Sequence, residues 1–224
     1  MITAGGNNLT RITLGSTDVS NVYLGNSLVY SASSDYALCN YIQNTSTSYI
    51  DTGIGFLGLT TPKMEVDIGD IVAPSAWRAI FGSRWKASDV DSCLVQLDTN
   101  NVWTSFINGI NYRLNTLATY AGRNIVRVES NMTYVNNYAF TNAKTIPRYS
   151  AATMTLLATH NLQDGSIADT GLKCKIYGCR IYSGGNMIRN FVPAMQVSTG
   201  KYGLYDIITG VFKSSANANE FAGG

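Results

Sequence analysis

Apolar and polar residues alternate with a period of two along much of the chain after residue 35. The clearest case is residues 63–72, KMEVDIGDIV, where Met64, Val66 and Ile68 share one face and two acidic residues share the other. A period of two places successive side chains on opposite faces of a β-strand. The segment is therefore predicted to be a strand that buries one face and leaves the other in solvent.

Similar short apolar runs, separated by polar turns, recur through the rest of the chain. They are residues 78–85, 93–109 with a turn at Asn100-Asn101, 123–137 with a turn at Ser130-Asn131, 152–161, and 172–193 with a turn at Gly184-Gly185. This spacing of strands and turns is typical of antiparallel sandwiches and barrels. No segment has the pattern of an amphipathic helix longer than two turns. The pattern therefore predicts an all-β fold, either an antiparallel β-sandwich or a barrel.

The first part of the chain repeats itself. RITLGSTDVS at 11–20 is followed by NVYLGNSLVY at 21–30, and each consists of a short apolar run, a Leu-Gly-polar turn and a second run. This pattern predicts two small hairpins, which can bury little surface alone. With SASSD at 31–35 as a linker, we predict an attachment or oligomerisation module at 1–33 and one larger domain at 34–224.

Composition narrows the function classes. The 224 residues are 45% apolar and 13% charged, with a net charge of +2, so a packed core is expected and the basic surface of a nucleic-acid-binding protein is not. No apolar run reaches 18 residues, so no membrane span is predicted. The opening residues, MITAGGNNLT, lack the basic and apolar regions of a secretion signal.

Four cysteines occur, at Cys39, Cys93, Cys174 and Cys179, with a single histidine, His160. Their spacing matches no zinc-binding pattern. They are predicted to be buried or half-buried thiols in strands. A Cys174–Cys179 disulfide is the alternative, although it needs a tight turn where KIYG reads as a strand.

Motifs in both halves of the larger domain resemble one family. Residues 172–224 contain a K-I-Y strand, a strand ending F-V-P, a GLYD step at 203–206, a TG-x-F turn at 209–212 and a glycine-rich end, while YIQNTSTSYIDTGI at 41–54 and IFGSR at 80–84 lie upstream. In combination they resemble the concanavalin A-like (LamG-like) jelly-roll domains that are common in phage structural proteins and gut-bacterial surface proteins. The resemblance covers residues 35–224 and implies a jelly-roll sandwich.

The N-terminal repeat adds a second resemblance, because VSNVYLGNSLVYS at 19–31 is similar to a short module of phage tail and fibre proteins. Together the resemblances imply a non-enzymatic phage virion protein, a head or tail fibre or decoration protein, whose jelly roll contacts host glycans or neighbouring subunits. Residues 1–33 would bind other virion proteins, and a homotrimer is expected by analogy with fibres. The alternative is a lectin-like carbohydrate-binding module on a bacterial surface or secreted outside the cell.

Three residues in these motifs have expected structural roles. Gly203 is predicted to let the backbone turn where a side chain would clash. Asp206 precedes a turn, where its carboxylate can accept backbone N–H bonds. Pro193 is predicted to end its strand, because proline cannot donate to a β-ladder.

Catalytic motifs are weak. Glu65, Asp67 and Asp70 approximate the E-x-D-x-x-E string of jelly-roll glycosidases, but the last acid is one methylene shorter, and strand alternation alone places acids there. His160 lacks a nucleophile elbow, and GIGFLG at 53–58 lacks the lysine and helix of a phosphate-binding loop. No enzymatic activity is predicted.

No cofactor is predicted either, with Ca²⁺ as the open alternative. Domains of the LamG type sometimes hold Ca²⁺ on loop oxygens, and SDVDS at 88–92 and DTNN at 98–101 offer such oxygens. Six or more oxygens must converge on the ion, so solvated loops are the favoured interpretation.

Sugar binding is the remaining hypothesis. Aromatic rings and amides in predicted turns suit sugar faces and hydroxyls, although for each tryptophan taken alone a place in the core or an interface is the favoured interpretation. The predicted carbohydrate-binding residues are Trp77, Trp85, Trp103, Asn108 and Tyr112, with Asn101 and Asn111 nearby.

Overall fold

The computed structural model describes residues 35–85, 92–100, 102–114, 122–146 and 152–224, together with the backbone of four short strands within residues 13–31. These four strands make two separate antiparallel hairpins: β1 (Thr13–Leu14) with β2 (Thr17–Asp18), and β3 (Asn21–Leu24) with β4 (Ser27–Ser31). The two hairpins predicted from the repeat are present. The domain boundary at 33/34 lies outside the described residues and stays a prediction.

The remaining strands follow one another along the whole of the larger domain. In chain order they are β5 (Tyr36–Leu38), β6 (Ile42–Asn44), β7 (Ile50–Gly55), β8 (Lys63–Gly69), β9 (Arg78–Arg84), β10 (Cys93–Leu97), β11 (Trp103–Ile107), β12 (Ile110–Arg113), β13 (Arg123–Glu129), β14 (Met132–Val135), β15 (Tyr138–Thr141), β16 (Thr153–Leu156), β17 (Thr159–Asn161), β18 (Ile167–Ala168), β19 (Cys174–Ser183), β20 (Asn186–Gln196), β21 (Lys201–Asp206), β22 (Val211–Ser214) and β23 (Ala222–Gly223).

These strands build two sheets. The first sheet has the order β12-β11-β10-β9-β16-β7, with β17 and β18 joined beside β9. The second sheet has the order β15-β14-β13-β8-β19-β20-β21-β22, with β5, β6 and β23 joined at β19 and β20. All pairings are antiparallel except that of β17 with β9. The described residues contain no helix, and therefore none that could span a membrane. The predicted antiparallel β-sandwich is confirmed.

The core lies between the two sheets and follows the alternation read from the sequence. On β8, Met64, Val66 and Ile68 have no exposed surface, while Glu65 and Asp67 face the other side. From the first sheet the core receives, among others, Phe81, Cys93, Val95, Leu97, Trp103 and Ile107. Burying a large apolar side chain stabilises a fold by about 1.5–3 kcal/mol. The predicted hairpins of β10 with β11, β13 with β14 and β19 with β20 all form with their turns at the predicted positions, and the last has a bulge between Ile181 and Tyr182.

Two local predictions are wrong. The single strand predicted at 152–161 is divided into β16 and β17, because Leu157 between them has a positive φ of 62°. Pro193 does not end its strand, since β20 continues to Gln196. The proline is tolerated because it lies between the part of β20 that pairs with β19, up to Phe191, and the part that pairs with β5, from Ala194. A missing N–H costs little where a ladder is interrupted.

All four cysteines are free thiols. Cys174 and Cys179 lie on the same strand, where five residues at about 3.3 Å each separate them far beyond the reach of a disulfide. Burial raises the pKa of Cys174 to about 12 and that of the half-buried Cys39 to about 11. These thiols therefore stay protonated at neutral pH, which fits packing roles in the sandwich.

Gly203 lies within β21 and not in a turn as predicted, but the predicted clash of a side chain at this position is present. A Cβ at this position would lie 2.3 Å from the carbonyl oxygen of Lys213 and 2.8 Å from the ring of Phe212. We expect Gly203→Ala to lower the free energy of unfolding in urea by about 3 kcal/mol, because a backbone oxygen cannot move aside without breaking the β21–β22 ladder. Ser214→Ala, opposite Gly203 on β22, is the control and should change stability by less than about 0.5 kcal/mol. Equal stability of the two variants would contradict this account.

Candidate functional site

A groove of about 250 Å³ lies on the outer face of the first sheet, over strands β9 to β12. The face is the one opposite the core, since its residues on β10 alternate with the core residues of that strand. Its lining combines aromatic, amide and charged side chains: Trp77, Arg84, Leu94, Gln96, Phe106, Asn111 and Asp169. Sites that enclose drug-sized ligands usually measure about 300–1,000 Å³, so this groove fits a small ligand or the end of a larger one.

The floor of the groove is set by the register of its strands. Phe106 on β11 pairs with Leu94 on β10 and with Asn111 on β12, so the three side chains form a row across the sheet. Gly82 on β9 continues the row, and a Cβ there would lie 2.5 Å from the Cβ of Leu94. The row is therefore flat at its β9 end, which leaves room above the sheet.

Trp77 forms a wall of the groove. It directly precedes β9, and the guanidinium of Arg113 on β12 lies 6.0 Å from the centre of its ring. Arg113 is itself held by the fully buried Asp98, 3.1 Å away. Oδ1 of Asp98 accepts hydrogen bonds from the backbone N–H groups of Asn100 and Val102. The β10–β11 turn thus positions the arginine that faces the tryptophan ring.

An ionic pair stands at another side of the groove. The guanidinium of Arg84 lies 3.9 Å from a carboxylate oxygen of Asp169, and both side chains are mostly buried. Arg84 also donates from Nε to the side-chain oxygen of Asn161, whose amide nitrogen donates to Ser166. These contacts fix the guanidinium plane. The groove therefore presents fixed hydrogen-bond donors and acceptors beside aromatic surface.

The predicted sugar-binding residues are distributed over several places. Trp77 lines the groove, as does the neighbouring Asn111. Trp103 has no exposed surface, because it lies on the face of β11 that points into the core. It therefore cannot contact a ligand in this structure. Trp85 is 41% exposed at the end of β9 and does not line the groove. Asn101 lies outside the described residues.

Asn108 and Tyr112 hold a loop instead of lining the groove. Asn108 has a positive φ of 48° in the β11–β12 turn, and its amide donates to the carbonyl of Thr145 at 2.8 Å. The hydroxyl of Tyr112 accepts a hydrogen bond from the backbone N–H of Ala143. Both residues therefore tie β12 to the segment that follows β15.

Sequence reasoning did not find Arg84, Gln96, Phe106 and Asp169. Alternation within WTSFI does place Phe106 opposite to Trp103 and Ile107, and this signal could have marked its face. No pattern could have joined Arg84 to Asp169, because the two residues meet only when β17 and β18 pack beside β9.

The acidic string on β8 is engaged in ion pairs. Glu65 pairs with Arg180 at 2.7 Å, Asp67 with Arg123, and Asp70 with Lys175 at 2.8 Å. The hydrogen bond to Asp67 raises the pKa of Arg123. A glycosidase needs two carboxyl groups that face each other across the sugar. Here each carboxylate has its own cation on the outer face of the second sheet, which is the arrangement expected of a solvent-facing strand.

His160 and the proposed calcium ligands do not form a cluster in the described part of the chain. Nδ1 of His160 lies 3.0 Å from the hydroxyl of Thr153, within the first sheet. Over the described ranges, no three side chains of the His, Cys, Asp or Glu type come close enough to hold a metal ion. Residues 88–91 of the SDVDS segment lie outside those ranges, so the calcium alternative stays a prediction.

Comparison with known proteins finds similarity of structure only. No family model matches the sequence, and no curated protein does. A Bacteroides ovatus protein proposed to bind carbohydrate matches with a TM-score of 0.56 at 11% identity, over 83% of this chain and 60% of its own. The chain thus spans about three fifths of that protein. The CBM40 domain of a Ruminococcus gnavus sialidase, bound to α2,6-sialyllactose, matches with a TM-score of 0.47 at 10% identity, over 68% of this chain and 93% of its own. Of these two matches, the first is strong enough to establish a shared fold.

Proposed function

We propose that this protein is a non-catalytic carbohydrate-binding module that holds a sugar unit in the groove on the outer face of the first sheet. The observation that carries the proposal is the groove itself, where the rings of Trp77 and Phe106 lie beside the amides of Gln96 and Asn111. A β-sandwich shared with a Bacteroides ovatus protein proposed to bind carbohydrate supports the same function.

Each group in the groove has a use in sugar recognition. The apolar face of a pyranose ring carries C–H groups that pack on an aromatic surface, which is the contribution expected of Trp77 and Phe106. Sugar hydroxyls both donate and accept hydrogen bonds, as amides do. Arg84 and Asp169 add charged partners, whose hydrogen bonds are stronger than neutral ones. The groove therefore offers stacking for affinity and fixed polar groups for selectivity.

The proposed setting is a bacterial surface or the extracellular space, where such a module would anchor a cell or an attached enzyme to glycans. The phage virion role, its protein partners and the homotrimer rest on the sequence resemblance alone and stay predictions. A virion fibre that binds host glycans could use the same groove, so the binding test below applies to either setting.

Replacing Trp77 with alanine tests the groove. We expect glycans that bind the wild-type protein on a glycan array to bind Trp77→Ala at least about tenfold more weakly by calorimetry, because stacking and the groove wall are lost together. Gln96→Ala should weaken binding as well. Trp85→Ala is the matched control, since it removes an exposed tryptophan outside the groove and should bind like the wild type.

Two results would contradict the proposal. One is that a broad array, covering neutral and acidic glycans, shows no binding to the folded wild-type chain. The other is that Trp77→Ala, with an unchanged circular dichroism spectrum, retains the wild-type affinity while Trp85→Ala loses it, which would move the binding site to the end of β9.

A further inference from the structure

A second pocket, of about 160 Å³, opens between the edges of the two sheets. It lies between β7, the edge strand of the first sheet, and the strands β20 to β22 of the second. Its lining is Thr52, Gly53, Arg189, Phe191, Asp206, Thr209, Val211 and Lys213. The groove described above lies toward β12, at the opposite edge of the first sheet, so the two sites are separate.

The carboxylate of Asp206, in the wall of this pocket, has hydrogen-bond or ionic partners on both of its oxygens. Asp206 has no exposed surface, and its Oδ1 accepts hydrogen bonds from the backbone N–H groups of Asn190 and Ile208. Its Oδ2 accepts from the hydroxyl of Thr209, and Nε of Arg189 lies 3.4 Å away. The carboxylate and the guanidinium therefore neutralise each other within the wall of the pocket.

Lys213 is the remaining charged side chain of the pocket lining. Its side chain is half-buried, and it makes no ion pair or hydrogen bond with any residue in the described ranges. Its Nζ lies over Gly53, where a Cβ would come within 3.0 Å of that nitrogen. The missing side chain of Gly53 makes room for the amine, and its positive φ of 73° is a second reason why glycine suits this position. The ammonium group is thus aimed into a small space between two sheet edges.

We propose that this pocket binds a small oxyanion group, such as a carboxylate, a sulfate or a phosphate. The wall contributes two cations and one carboxylate, which leaves a net positive charge that a single anionic group balances. A partly desolvated ammonium without a partner favours a nearby anion, because charge-assisted hydrogen bonds are stronger away from bulk water. Phe191 and Val211 supply the apolar part of the lining.

An NMR titration tests the pocket directly. The ¹⁵N-labelled chain is titrated separately with sodium acetate, sulfate and phosphate at constant ionic strength, with sodium chloride as the balancing salt. We expect at least one of the three anions to shift the Gly53 amide and the Lys213 Nζ resonance in a saturable way. The three titrations together identify which kind of oxyanion the pocket prefers.

Variants complete the test. Lys213→Gln should lower the affinity for the preferred anion by about tenfold, which is about 1.4 kcal/mol. Lys213→Arg should retain binding, because the arginine keeps the positive charge. Lys144→Gln is the matched control, because Lys144 is an exposed lysine beyond β15, at the far edge of the second sheet. It should titrate like the wild type.

The outcomes are decisive in either direction. Non-saturable shifts with all three anions, or a Lys213→Gln titration indistinguishable from that of the wild type, would overturn the proposal. Because resonances outside the pocket report folding in the same spectra, a misfolded variant is recognised at once, and Lys213→Arg then decides. Trp77→Ala should leave the anion response intact, so failure of the carbohydrate proposal and failure of this one are distinguishable.

Discussion

Replacing Asp206 with alanine is expected to lower the free energy of unfolding by about 3–5 kcal/mol, the range observed when one partner of a buried ion pair is removed. The substitution would leave the N–H groups of Asn190 and Ile208 and the hydroxyl of Thr209 without their acceptor. It would also leave Arg189, whose side chain is only 28% exposed, without its counter-charge. Urea denaturation monitored by tryptophan fluorescence measures the loss.

Two further variants separate the contributions of shape and charge. Asp206→Asn keeps an acceptor oxygen for the two backbone donors but removes the charge, so an intermediate loss is expected. Asp35→Ala removes an exposed carboxylate before β5 and should change stability by less than about 0.5 kcal/mol. If Asp206→Ala were as stable as Asp35→Ala, the carboxylate would have no part in holding the β21–β22 turn.

Trp103→Ala is expected to lower the free energy of unfolding by about 3–5 kcal/mol. The substitution deletes the largest fully buried side chain among the described residues and leaves a cavity between the sheets. Trp103→Phe should lower the free energy of unfolding much less. The buried Nε1 of Trp103 has no hydrogen-bond partner among the described residues, so removing this N–H relieves the penalty for burying an unpaired donor. Thermal unfolding of the two variants beside the wild type measures the difference.

The same two variants separate a core role from a ligand-binding role. While folded, both should retain the glycan affinity of the wild type, since Trp103 has no exposed surface. Loss of affinity in a folded Trp103→Phe variant, with Trp77→Ala unaffected, would show that the ligand is recognised at a place other than the groove.

The strands could be predicted from the sequence because their signal is local. The alternation of Met64, Val66 and Ile68 is visible within seven residues, and it reappears as complete burial on β8. The turn at Gly184-Gly185 was equally clear, and both glycines have positive φ values there. The role of Asp206 could also be predicted, because the backbone N–H of Ile208 follows it by only two residues.

The groove was harder to predict because β10, one of the strands beneath it, is buried on both faces. The outer Leu94 and Gln96 of β10 are nearly as buried as the core residues of the same strand, and Leu94 is as apolar as they are, so alternation along β10 marks its outer face only weakly. Trp77 and Trp103 look alike in the sequence, yet one lines the groove and the other fills the core. The two tryptophans differ in position because of the strand register and of the side on which the chain enters β9. The composition of the sequence indicates neither.

The position of β6 has a consequence for how the protein folds during synthesis. This early strand pairs with β19 and β23, and its neighbour β5 pairs with β20, so their partners lie far along the chain. While the ribosome is still translating, the edges of both strands stay unpaired, and the second sheet can close only after residue 223 has emerged. Because closing such long loops precedes the stabilising contacts, folding on the millisecond-to-second scale is expected, with a nascent chain that offers strand edges to chaperones.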